Sequence, residues 1–168
     1  KQGFNTVILR FSNVYGGLLD HYDRVIPAFC INALKGNTIR IDGKECVFDF
    51  TYIEDVVEGI LLAVEKLMSF QQIGLPVHLT GCRGCNLDEL VRIIMDITGS
   101  KSPIDYRPPR NFDVSCFYGD FSNADKLLGW KPKYSLEEGI EKFISDIQNA
   151  VTDCPYNVEM QIYENIKN

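Results

Sequence analysis

The chain has 168 residues, 45% of them hydrophobic, and a formal charge of −6. That length suffices for a buried core, and the acidic balance excludes the basic surface that nonspecific nucleic-acid or anionic-membrane binding requires. No apolar run approaches the roughly 18 residues of a membrane span, so the expectation is a cytoplasmic protein with neither nucleic acid nor membrane as partner.

Thr6-Val7-Ile8-Leu9 is an unbroken apolar run, the pattern of a strand buried on both faces of a parallel sheet. It leads into Arg10-Phe-Ser-Asn-Val-Tyr-Gly-Gly17, which reads as a loop. Val25 to Leu34 predicts a helix, with Pro27 in its first turn and Gly36 as its stop. Thr38 to Ile41 reads as a short strand closed by an Asp42-Gly43 turn. Phe48, Phe50 and Tyr52 then alternate at the strand period. Val56, Val57, Ile60, Leu61, Val64 and Leu67 follow at helical spacing, predicting a helix with one apolar face. Corners of this kind are where α/β proteins tend to place ligands. Asp49, Tyr52 and Asp55 nevertheless read as structural residues that fix the junction and the helix start.

Pro76 to Leu79 predicts a strand. Cys82-Arg-Gly-Cys85 is one Cys-x-x-Cys, and with His78 it still falls short of the four ligands of a structural zinc site. It reads as a tight turn into a helix, with no metal site. All six cysteines read as reduced thiols, Cys30 as a small hydrophobe in an apolar run. Asn86, with Glu89 three residues on, predicts a capped helix from Leu87 to Thr98 that ends at Gly99. Ile104 to Tyr106 predicts a strand, and the prolines of Arg107 to Val114 exclude regular structure. Ser122 and Gly129 bracket a short helix, and Ser135 with Glu138 opens a longer one carrying Ile140, Phe143, Ile144 and Ile147. From about Thr152 the pattern weakens into a tail.

Strands alternating with helices give an α/β fold. Only one strongly buried parallel-type strand is evident, and nothing before it can pair with it. The expectation is the C-terminal part of something larger, hiding that strand by self-association or as a homodimer.

Several segments together resemble the extended short-chain dehydrogenase/reductase family, the NAD-dependent nucleotide-sugar epimerases and dehydratases. Leu9 to Gly16 resembles the family's strand and loop after its catalytic Tyr-x-x-x-Lys helix. Phe48 to Ile60 resembles its Arg-Asp-Phe-x-Tyr-Val-x-Asp-x-Val motif, and Arg110 to Val114 its Arg-x-Gly-Asp-Val loop. Asp120 to Ile140 is similar to its Leu-Gly-Trp-x-Pro segment and closing helix. The resemblance implies the substrate-binding part of a Rossmann-type protein with the last strand or strands of its NAD-binding sheet. Residues 1–20 would end the NAD-binding domain, 21–150 would bind a nucleotide-diphosphate sugar, and 151–168 would be a tail.

On that resemblance Phe11 and Ser12 lie beside the nicotinamide of NAD, a cofactor bound mainly by an N-terminal region. Asn13 contacts the sugar nucleotide near its phosphates. Val25 opens a helix whose backbone N–H groups face the pyrophosphate. Ile41 borders the nucleobase, Arg110 grips the pyrophosphate and Asp113 accepts from the ribose hydroxyls. The family usually has arginine where Phe48 stands, leaving Arg24, Arg40 and Lys44 as candidate replacements, and Phe112 stands in place of its loop glycine. No Gly-x-x-Gly-x-x-Gly occurs, and the resemblance puts the catalytic Tyr-x-x-x-Lys pair upstream. The chain is therefore expected to supply no catalytic residue and to be inactive alone. The alternative is a non-catalytic nucleotide-sugar binding or interaction module.

Overall fold

A computed structural model describes residues 5–69 and 73–153, the last three without side chains. Its elements are β1 (Leu9–Phe11), β2 (Asn13–Tyr15), α1 (Val25–Lys35), β3 (Ile39–Asp42), β4 (Val47–Tyr52), α2 (Ile53–Met68) and β5 (Val77–Leu79). There follow β6 (Gly84–Asn86), α3 (Leu87–Thr98), β7 (Ile104–Arg107), β8 (Cys116–Phe117), α4 (Ser122–Leu128) and α5 (Leu136–Asp153). The fold is α/β, and β1 with β5, β3 with β7 and β4 with β8 all pair in parallel.

The chain forms two compact units. The first takes in Lys1–Val14, Val47–Cys85 and Cys116–Leu136; the second takes in Tyr15–Cys46, Asn86–Ser115 and Glu137–Asn168. In the first unit β4 is central, with β2 and β6 on its edges and β8 paired to it. A separate β1–β5 pair aligns Leu9 with Val77 and Phe11 with Leu79. Ala63, Val77, Leu79, Ala124, Leu128 and Trp130 make its core, and Val7 and Leu9 pack against them.

In the second unit β3 and β7 pair beside α1 and α3, which pack on each other. Ile26, Phe29, Cys30, Ile39, Ile41, Leu90, Val91 and Ile94 are buried there. Ser100 Oγ donates to the Ala33 carbonyl and Ser102 Oγ to the Asn32 carbonyl, giving second donors to the two carbonyls that also accept the cap N–H groups of Gly36 and Asn37. Asn86 Oδ1 accepts the Glu89 N–H at 2.8 Å, and Gly36, Gly99 and Gly129 close α1, α3 and α4 in the left-handed region.

Five expectations are corrected. The first strand is Leu9–Phe11, not Thr6 to Leu9, and it is not buried on both faces: Ile8 is 58% and Phe11 43% exposed. Only one face of this run meets a core, so alternate side chains point outward. Asn13–Tyr15, expected as loop, is the edge strand β2. Cys82 sits at φ 56° and the strand β6 intervenes before α3, so the Cys-x-x-Cys turn does not run directly into a helix. Ser122 is the first residue of α4 rather than its cap, and Asp120 Oδ1 accepts both its N–H and its Oγ–H. Most consequential is α2. Its buried residues are Asp55, Val56, Gly59 and Ala63, while Val57, Ile60, Leu61 and Val64 lie exposed. A Cβ on Gly59 would stand 2.6 Å from Leu79 Cδ1, so close approach to β5 selects the small residues for the inner face. The tail beyond Asp153 lies outside the described residues.

Candidate functional site

The corner between β4 and α2 is held by two buried carboxylates. Asp49, wholly buried, accepts the N–H groups of Gly81 at 2.9 Å, Cys82 at 3.0 Å and Gly119 at 3.0 Å. Asp55 accepts the N–H groups of Lys133 and Tyr134, and its carbonyl accepts Trp130 Nε1–H at 2.8 Å. Burial pushes the Asp55 carboxyl above the usual range, with the two N–H donors pulling the other way. Tyr52 lies edge-on to Tyr134 at 4.9 Å. These residues are structural, as expected, though they clamp distant loops more than they cap a helix.

Two of the expected site residues hang on this corner. Ser12 Oγ and Thr51 Oγ1 share a 2.6 Å hydrogen bond, and Asn13 Nδ2 donates to the Asp49 carbonyl at 3.1 Å. Phe11, Ser12 and Asn13 thus belong to the first unit, Phe11 with its ring 43% exposed at the end of β1.

The other four lie in the second unit. Val25 opens α1, whose start has no side-chain cap and no acid in its first turn. Its free N–H groups favour an anion. The Ile41 side chain is fully buried, which leaves only backbone to meet a ligand. Arg110 and Asp113 close one tight turn. Arg110 Nη2 is 2.8 Å from Asp113 Oδ1, Arg110 N–H donates to Oδ2 at 2.8 Å, and Asp113 N–H returns a bond to the Arg110 carbonyl. The guanidinium holds the Asp113 carboxyl below its ordinary range. Phe112 is 77% exposed and carries the Arg110 guanidinium 4.9 Å from its ring centre, so the residue replacing the family's glycine supports the arginine.

The candidate replacement cations already have partners. Arg24 meets Asp20, Arg40 meets Asp42, and Lys44 lies near Glu45 and over the Tyr106 ring. Phe48 is half-buried with its ring 6.3 Å from that of Phe50, so an apolar contact occupies the expected arginine position.

Sequence reasoning missed an open cavity of about 290 Å³ in the first unit, lined by His78, Phe117, Tyr118, Gly119, Asp120 and Asn123. Its residues come from two segments distant in sequence, His78 and Phe117 to Asn123, and no local motif announces it. A Tyr-x-x-x-Lys spacing does occur once, at Tyr163 and Lys167, outside the described residues and after every matched motif.

The family model described as GDP-mannose 4,6 dehydratase matches residues 1–143. An uncharacterized protein of Methanocaldococcus jannaschii is 33% identical over 142 residues, covering 84% of this chain and 42% of its own. UDP-glucuronic acid decarboxylase 2 of Arabidopsis thaliana is 29% identical, covering 86% of this chain and 32% of its own. Among solved structures, the UDP-glucose 4-epimerase of Thermotoga maritima with UDP-glucose superposes with a TM-score of 0.79 at 33% identity, covering 86% of this chain and 46% of that one. The UDP-glucuronic acid 4-epimerase of Bacillus cereus, with UDP-glucuronic acid and NAD, gives 0.77 at 25% identity, covering 85% and 45%. The chain thus spans less than half the length of each of these relatives.

Proposed function

The chain belongs to the extended short-chain dehydrogenase/reductase family of nucleotide-sugar epimerases and dehydratases, and from that premise we propose that it is the substrate-binding part of an enzyme acting on a nucleotide-diphosphate sugar by transient oxidation. The observation that carries the reading is the superposition on the Thermotoga maritima epimerase with UDP-glucose. Arg110 grips the pyrophosphate and Asp113 accepts from the ribose. Asp113 engages the Nε and Nη2 edge of Arg110 and so fixes the guanidinium in one turn, leaving the Nη1 side to meet a phosphate oxygen. The uncapped start of α1 at Val25 adds N–H donors for a phosphate oxygen and Ile41 offers backbone beside the base; in the first unit the Asn13 amide, fixed on the Asp49 carbonyl, is a further candidate contact to the sugar nucleotide.

NAD, when bound, supplies the hydride acceptor and donor. The exposed Phe11 and the Ser12 hydroxyl held by Thr51 are compatible with a planar, amide-bearing ring, and we assign residues 1–20 to the cofactor side and 21–150 to the sugar nucleotide. No residue here serves as catalytic acid or base, and the chain alone is inactive. The described cysteines are free thiols, which suits a reducing cytoplasm. Titration calorimetry of UDP-glucose into this chain tests the reading. Binding is expected, and Arg110→Ala should weaken it at least tenfold, with Arg110→Lys between. Equal affinity in Arg110→Ala overturns the assignment.

A further inference from the structure

β5 sends its side chains to two faces. Val77 and Leu79 are fully buried in the core of the first unit, so His78 between them points to the opposite face, where it is half-buried. The segment after β8 lies beside it. Gly119 N–H is anchored on the Asp49 carboxylate, and a Cβ on Gly119 would stand 2.5 Å from Thr80 Cγ2, so this close approach to the end of β5 requires glycine. Asn123, in the first turn of α4, ties the same wall to the start of β5 by donating from Nδ2 to the Pro76 carbonyl at 3.1 Å. Between them opens the cavity of about 290 Å³, and none of the residues assigned to NAD or to the sugar nucleotide lines it.

The lining mixes donors with acceptors. Asp120 Oδ1 accepts the N–H and the Oγ–H of Ser122, at 2.9 and 2.6 Å, and the second carboxylate oxygen has no partner among the described residues. Those bonds, with the His78 imidazole nearby, hold the Asp120 carboxyl below its ordinary range, so it stands ionised as an acceptor. With Nδ2 committed to Pro76, the Asn123 amide keeps its oxygen for a ligand. His78 and Tyr118 add a ring N–H and a hydroxyl that can donate, and the rings of Phe117 and Tyr118 are 44% and 63% exposed. An anion would oppose the two acceptors, and an amine would leave the two donors unmet. A hydroxyl group both donates and accepts, and a pyranose carries several of them around a ring whose C–H face can lie on an aromatic one.

We propose that this cavity binds an uncharged pyranose ring. Asp120 and Asn123 accept from its hydroxyls, His78 and Tyr118 donate to them, and Phe117 supports its apolar face. The inference goes beyond the nucleotide-sugar reading and holds without it, since neither phosphate nor base enters the cavity.

The probe is methyl α-D-glucopyranoside, titrated into the chain with the imidazole proton resonances as the readout. The chain has two histidines, and His21, in the second unit, is the internal control. The expected result is a saturable shift of the His78 resonances with those of His21 unmoved. Asp120→Asn keeps an oxygen for Ser122 and turns the free acceptor into a donor, while Phe117→Ala removes the apolar support. Each should weaken binding roughly tenfold, about the worth of one hydrogen bond to a charged group. Unchanged emission of the single tryptophan, Trp130, reports that the variants keep their fold. Methyl β-D-glucuronide, a pyranoside with a carboxylate added, should bind more weakly because Asp120 repels it. No shift at His78, equal shifts at both histidines, or an affinity unchanged in both variants overturns the proposal. Tighter binding of the glucuronide or of propylamine than of the neutral glycoside overturns it in favour of a charge site. The probe carries no nucleotide, so failure of this titration and failure of the UDP-glucose calorimetry are separate results.

Discussion

Asp49→Ala probes the clamp under the β4–α2 corner. The carboxylate is wholly buried and accepts three backbone N–H groups, from Gly81, Cys82 and Gly119, on two segments 32 to 70 residues away in sequence. Alanine leaves all three donors buried without an acceptor. Unpaired buried donors cost about 1–3 kcal/mol each and do not add fully, so the expected loss is about 3–5 kcal/mol. Asp49→Asn should lose less, about 2–3 kcal/mol, since one oxygen can still serve Gly81 while its NH₂ meets the donors of Cys82 and Gly119. Urea unfolding read through Trp130, 1% exposed in the same unit, measures both. With a slope of about 1–3 kcal/mol per molar, the alanine variant should shift the midpoint by roughly 2 M. An Asp49→Ala protein within about 1 kcal/mol of the unaltered chain would refute the clamp. The carbonyl that orients Asn13 belongs to the same residue, so weakened nucleotide-sugar binding should accompany the loss.

Gly59→Ala places a Cβ 2.6 Å from Leu79 Cδ1 and 3.1 Å from Trp130 Nε1. Overpacking of about 1–3 kcal/mol should outweigh the roughly 1 kcal/mol that alanine adds to helix propensity, lowering the melting temperature; a raised one contradicts the packing. Asp55 binds its proton more tightly folded than unfolded because of burial. Its contribution to stability is therefore fully present below the unfolded value of about 3.9 and declines as pH rises through the higher folded value. The stability difference between the unaltered chain and Asp55→Asn should shrink as pH climbs through that window, and a difference that grows refutes the assignment.

Much of this was legible because local chemistry and fold agree. The Asn86 cap, the glycines after α1, α3 and α4, and the switch from strand to helix at Tyr52 each follow from backbone preferences of neighbouring residues. What escaped depends on distant partners. The partners of Asp49 lie 32, 33 and 70 residues away, so its role as a triple acceptor has no local signature. Ser122 looked like a cap by type, yet Asp120 two residues earlier takes that work because its carboxylate reaches both donors of the serine. The Arg110–Asp113 turn was legible as a pair of motif residues, but the ion pair between them and the ring of Phe112 beneath were not.

The largest discrepancy carries the most information. Large apolar residues define the obvious stripe of α2, and a reading by periodicity assigns that stripe to the core. The core instead receives Gly59 and Ala63, because Leu79 and Trp130 approach too closely for anything larger. Periodicity shows one apolar face on α2, and the inner face of Val56, Gly59 and Ala63 is too small to announce itself, so the helix has surfaces for two bodies. One of them is present as β5 and α4. β1 is likewise paired with β5 on one side, and among the described residues no strand pairs with its other edge.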